Sequence, residues 1–93
     1  MARQLLKSNA FVRSAKKFVK KSPEMAGDIE TALELLSQDA FHPLLRTHKL
    51  KGNLEGSWAC SAGYDLRIVF EFVPYEEAEA ILLENIGTYN DVY

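Results

Sequence analysis

Ninety-three residues, 47% hydrophobic and 26% charged, make one compact domain and exclude both a multidomain enzyme and a disordered chain. The longest apolar runs fall far short of the roughly 20 residues of a membrane span, and no signal peptide pattern opens the chain. The single cysteine, Cys60, excludes an internal disulfide framework, so a reducing cytoplasm is the expected setting. The net charge of −2 argues at first against a nucleic-acid partner, but its distribution is uneven. Residues 1–52 hold ten of the 11 basic side chains, and residues 53–93 hold Arg67 against eight acids. Segregation of this kind leaves one positive face on a mildly acidic protein.

In chain order, residues 2–7 read as a short strand. Ser8 or Asn9 caps a first helix, in which Phe11, Ala15, Phe18 and Val19 recur at helical spacing with lysines opposite them. Lys20 and Lys21 close it near residue 21. Ser22 then caps a second helix with Pro23 at its first position, running to about Gln38. Met25, Ile29, Ala32, Leu33, Leu35 and Leu36 form its buried face, and the short break makes the two helices antiparallel neighbours. After Asp39 the period changes, and His42-Pro43 and Lys51-Gly52 mark an irregular connection. Ser57–Ser61 reads as a strand and Ala62-Gly63 as a turn. Tyr64–Val73 reads as a second strand, with Leu66, Ile68, Phe70 and Phe72 on one face and Arg67, Val69 and Glu71 on the other. Pro74–Glu77 is a turn, and Ala78–Ile86 a last strand. The expected class is α+β, ordered β-α-α-β-β-β, a helical hairpin on a curved, mostly antiparallel sheet.

The chemistry-bearing residues follow the second helix. His48 stands in a polar connection beside Lys49 and Lys51, where an imidazole either takes or gives a proton; the alternative is an ordinary surface histidine. His42, before Pro43, serves the turn. Arg67 projects from the face opposite the core, where a guanidinium either grips a phosphate bidentately or closes a cross-strand ion pair with Glu71 or Glu84. Asp65, two residues earlier, is placed on the same face, to orient a base or ribose hydroxyl or to pair with Arg67. Tyr89 and Tyr93 either stack bases and supply a phenol or pack the C-terminus down. Trp58 reads as core. Neither Cys60 nor the histidine pair has metal-ligand spacing, and no cofactor motif is present.

Three pieces of the chain, in this order, carry a resemblance: His48-Lys49-Leu50-Lys51-Gly52, Gly63-Tyr64-Asp65-Leu66-Arg67-Ile68-Val69-Phe70, and Ile86-Gly87-Thr88-Tyr89. With the helical hairpin before them they resemble the RelE/ParE superfamily of bacterial toxins, and the YafQ branch most closely, over Phe11 to Tyr93. The resemblance implies a ribosome-dependent messenger RNA endonuclease. Its chemistry is attack of a ribose 2′-hydroxyl on the adjacent phosphate, without a metal or other cofactor. It implies a cognate antitoxin as partner, the ribosome and messenger RNA as targets, and a toxin–antitoxin hetero-oligomer. His48 matches a catalytic histidine and Asp65 a catalytic acid of the YafQ branch, Arg67 a phosphate-binding arginine of the RelE branch, and Tyr93 a C-terminal aromatic residue of the site. Two further YafQ histidines fall on Ser61 and Tyr89. The implied site is therefore His48, Asp65, Arg67, Tyr89 and Tyr93, with Lys49, Lys51 and Ser61 contacting substrate. Two rivals stand beside this reading: a ParE-like gyrase poison, which needs neither His48 nor Asp65, and a catalytically silent homologue that only binds an antitoxin.

Overall fold

The computed structural model describes residues 2–52 and 55–92. Strand β1 (Leu5–Lys7) leads into helix α1 (Asn9–Lys21), then α2 (Met25–Gln38), a 3₁₀ turn (Pro43–Leu45) and a short strand β2 (His48–Lys49). Strands β3 (Trp58–Ala62), β4 (Leu66–Tyr75) and β5 (Ala78–Thr88) follow, and a single helical turn, α3 (Tyr89–Val92), ends the described chain. The sheet order is β1-β5-β4-β3-β2. β1 runs parallel to β5, and the other pairs are antiparallel. The expected α+β order is present, with two additions. The connection read as irregular contains β2, too short to show a period, and the C-terminal tail splits into the end of β5 and α3.

The Ser8 hydroxyl caps α1 by accepting from the Phe11 N–H, and Lys20 and Lys21 complement the negative end of the helix dipole. The start of α2 departs from expectation. Ser22 caps the end of α1, its N–H donating to the Phe18 carbonyl at 2.8 Å, so it does not cap α2. Pro23 lies in the turn: Met25 N–H donates to the Ser22 carbonyl and Ala26 N–H to the Pro23 carbonyl. These are three-residue steps, so a tight 3₁₀-like turn precedes the regular helix, which begins at Met25.

The core lies between the helices and one face of the sheet. Phe11, Ile29 and Leu36 meet Cys60, Ile68, Phe70, Ile81 and Leu83 there. The alternation along β4 is as expected: Leu66, Ile68 and Phe70 face the helices, while Val69 joins Leu50 and Ala59 in a small cluster on the opposite face, covered by Val92. β5 keeps its apolar side inward through a bulge, because Val69 pairs with Asn85 but Phe70 with Leu83, leaving Glu84 as the extra residue. That is why Leu83 and Ile86, an odd step apart, are both buried. β4 also runs past Pro74, where a turn was expected. β3 pairs with β4 only as far as Phe70, so among the described residues no strand pairs with the β3 side of residues 71–75, where a proline lacking its N–H is tolerated.

Phe70 is fully buried at the centre of this layer. Phe70→Ala should therefore cost about 3–5 kcal/mol through lost transfer energy and a residual cavity, read as a lowered midpoint in urea unfolding at unchanged slope. Cys60 is buried in the same layer. Burial pushes its thiol up to about 12, against a smaller downward pull from the Arg67 charge. The neutral thiol is thus favoured by folding. Its contribution is intact below the unfolded-state value of 9.0 and is lost as pH rises through the folded value. At pH 8 native protein should resist iodoacetamide while urea-unfolded protein is alkylated readily; fast labelling of the native form would contradict this burial.

Candidate active site

The face of the sheet turned away from α1 and α2 is shaped by its register. Ser61, Arg67 and Gly87 form one cross-strand row, and His48, Ala59, Val69 and Asn85 the next. Residues opposite one another share a face, so His48 and Arg67 project from the same side. They stand two strands and two residues apart, roughly 12 Å between Cα atoms from ordinary strand spacing and rise.

An open cleft of about 690 Å³ lies over the end of this face nearest the β3–β4 turn. Ser61 and Arg67 supply its floor, Tyr64 and Asp65 the turn side, Arg46 the loop side and Tyr89 the C-terminal side. Arg67 is half-buried, and its Nη1 donates to the Leu66 carbonyl at 2.9 Å and, at a longer 3.4 Å, to the Tyr64 carbonyl. Its guanidinium carbon lies 5.6 Å from the centre of the Tyr89 ring, a cation–π arrangement. Neither expected cross-strand ion pair forms. Among the described residues the one ion pair is Arg3 with Glu79, and the Glu84 carboxylate accepts from the Ser57 hydroxyl at 2.6 Å. The charge of Arg67 is therefore not neutralised by a carboxylate among the described residues, as an anion-binding group requires.

Asp65 lies in the turn before β4, so it does not alternate with Arg67 along a strand. It reaches the cleft all the same, and its carbonyl accepts from the Tyr89 N–H at 3.1 Å. The Gly63 φ of 70° lets the chain turn here, and a Cβ on it would fall 2.6 Å from an Asp28 carboxylate oxygen. His48 is exposed on β2, and its Nδ1 lies 2.9 Å from the Arg46 carbonyl. A carbonyl only accepts, so Nδ1 carries the hydrogen, and the neutral ring has its lone pair on Nε2. His42 does serve its turn: Nδ1 accepts from the Leu44 N–H at 3.1 Å.

The lysines part company with the cleft. Lys49 pairs with Trp58 on the helix side of the sheet, its Nζ 5.4 Å from the indole ring centre. Lys51 lines a separate hollow with Glu55 and Ser57 at the far end of β3. Tyr93 lies outside the described residues. Among the cleft residues that were not singled out from the sequence are Arg46, Tyr64 and Asn90. Arg46 adopts a left-handed φ of 52° after the 3₁₀ turn, and Tyr64 is 96% exposed at the turn tip. A tyrosine placed in a glycine turn, outside any apolar period, was the available signal for the second. Among the described residues no group of three or more His, Cys, Asp or Glu side chains is placed to hold a metal ion, and no helix is long and apolar enough to cross a membrane.

No protein-family model matches the sequence, and no curated protein does either. Solved structures do match. A YoeB/ParE toxin from Agrobacterium tumefaciens aligns with a TM-score of 0.76 at 14% identity, over 92% of this chain and 98% of that one. YafQ from E. coli gives 0.75 at 15% identity, over 98% of both chains, and the E. coli DinJ–YafQ complex 0.74 at 16%, again over 98% of both. Over 92–98% of its length the chain has the fold of the YoeB/ParE and YafQ toxins, the fold that the resemblance of its sequence to the RelE/ParE superfamily implies.

Proposed function

We propose that this protein is the toxin of a toxin–antitoxin pair and that it cleaves messenger RNA on the ribosome by attack of a ribose 2′-hydroxyl on the adjacent phosphate. The observation that carries the reading is Arg67, a guanidinium unpaired with any described carboxylate, on the floor of an open cleft with Tyr89 against it and Arg46 on its wall. Two arginines suit a dianionic, phosphorane-like transition state. The Tyr64 and Tyr89 rings suit unstacked bases on either side of the scissile phosphate. Asp65 holds a ribose or base edge, Ser61 hydrogen-bonds the backbone, and His48 transfers the proton through Nε2. Lys49 and Lys51, outside the cleft, serve the flanking strand or the ribosome surface as charges. A gyrase poison would need no cleft of this composition. Primer extension on messenger RNA from translating ribosomes tests the reading: new 5′ ends within open reading frames are expected with wild-type protein, and intact message would leave the silent-homologue reading in its place.

Two of the matching structures are complexes of YafQ with DinJ, and a partner protein is part of this reading too. A groove of about 490 Å³ runs between α1 and α2, with Phe11, Val12, Val19, Ile29 and Leu33 in its walls and three lysines, Lys7, Lys16 and Lys20, against one acid, Glu30, among its polar lining. An amphipathic, acidic helix fits both the apolar walls and the mostly cationic polar lining. The paired change K16E/K20E should slow association with the antitoxin on the order of tenfold at low salt, with the difference shrinking as salt is added. Surface plasmon resonance over a salt series would show it; equal rates for variant and wild type would move the partner elsewhere.

A further inference from the structure

Helix α3 has only four residues, too few to hold a helical turn by backbone hydrogen bonds alone, yet it carries the Tyr89 ring that lies on Arg67. What fixes it is a reciprocal pair. The Thr88 N–H donates to Asp91 Oδ2 at 3.0 Å, and the Asp91 N–H returns to the Thr88 hydroxyl at 3.3 Å. This is a capping box closed with aspartate in place of glutamate. Beneath it lies Gly87, buried and paired across the strands with Arg67. A Cβ on Gly87 would stand 2.8 Å from the Asp91 Cβ, so the missing side chain is what allows Asp91 to lie flat on the strand. The Tyr89 N–H to the Asp65 carbonyl ties the same turn to the β3–β4 loop, and Val92 anchors its far end on Leu50, Ala59 and Val69.

From this geometry we infer that Asp91 is a positioning residue: with Thr88 it folds the last turn over Gly87 and sets the Tyr89 ring against the Arg67 guanidinium inside the cleft. The carboxylate is held below the usual range by the Thr88 N–H first, then by its hydroxyl, and in part by the Lys17 charge, all acting against some desolvation. What closes the latch is an acceptor oxygen at this position for the Thr88 N–H. Arg67 gains a fixed direction from two carbonyls on one side and a ring on the other. Its consequence for catalysis rests on the cleavage reading above; the placement itself does not.

Two measurements separate them. The Arg67 Nε–H resonance in a nitrogen–proton correlation spectrum reports the ring directly, and Tyr89→Leu gives its position with the ring removed. Asp91→Ala and Thr88→Ala should each move that resonance most of the way to the Tyr89→Leu value while leaving β3 and α2 resonances in place. Asp91→Asn, which keeps an acceptor oxygen for the Thr88 N–H, should stay near wild type. Gly87→Ala should open the latch by displacing Asp91. If Asp91→Ala leaves the Arg67 resonance unmoved, the positioning role is wrong. In the ribosome assay Asp91→Ala should lower the single-turnover cleavage rate by about 10–10²-fold with little change in apparent affinity, as a small misplacement of a catalytic group does, and Asp91→Asn should recover it. A shifted resonance with undiminished cleavage would confine the latch to structure and overturn its catalytic part. A wild type with no cleavage overturns the proposed function and leaves the spectrum to decide the placement.

Discussion

Arg67→Ala should reduce messenger RNA cleavage on ribosomes by about 10²–10³-fold, the usual cost of losing one preorganised donor aimed at developing charge. The expectation rests on where the guanidinium is held. It lies on the floor of the cleft, oriented by the Leu66 and Tyr64 carbonyls and the Tyr89 ring, and no described carboxylate neutralises it. Its orientation is therefore in place before substrate arrives, and binding needs no exchange of an ion pair with a described carboxylate. Arg67→Lys should recover little, because a point charge reaches neither two phosphate oxygens at once nor a stacked position on Tyr89. The side chain leaves the sheet on the face away from the main core, so the variant should keep its circular dichroism spectrum and melting cooperativity. Unchanged cleavage in a folded Arg67→Ala protein would remove the phosphate-binding role altogether.

How much of this was legible in the sequence follows from how far each signal extends. The two helices and β4 announce themselves because a buried face repeats along them: Ile29, Ala32 and Leu36 in one case, Leu66, Ile68 and Phe70 in the other. The same alternation put Arg67 on the outer face. The misplaced features are set by contacts remote in sequence. Pro74 belongs to a strand only because β3 has already ended opposite Phe70, and the bulge at Glu84 appears only in the pairing of β5 with β4. β2 is two residues long and exists because β3 accepts it. In the site, residue types were readable but their company was not. Lys49 and His48 are neighbours in sequence and lie on opposite faces of the sheet, because successive strand residues alternate. Arg46 enters the cleft through a left-handed turn that no local pattern marks.

The second large effect concerns the proton. Cleavage by a 2′-hydroxyl needs one group to remove its proton and one to protonate the leaving 5′-oxygen. His48→Ala should lower the rate by about 10²–10⁴-fold, the range of a lost general acid–base group. The hydrogen bond from Nδ1 to the Arg46 carbonyl fixes both the tautomer and the ring plane, and Arg46 itself lines the cleft. The residue that orients the histidine is thus also a wall of the site. Against this stands a separation: Arg67 turns its head toward the Tyr64 and Leu66 carbonyls, and His48 occupies the next row of the sheet, outside the cleft lining. In the proposed reaction a nucleotide spanning both rows would have to bridge them, as catalytic hydrogen bonds often tighten only with substrate in place. Tyr89→Phe supplies the contrast, because it keeps the ring on Arg67 and removes only the hydroxyl. A large loss in His48→Ala with a small one in Tyr89→Phe assigns proton transfer to the imidazole. The reverse pattern, His48→Ala near wild type and Tyr89→Phe collapsed, would transfer that step to the phenol and leave His48 as a surface residue of β2.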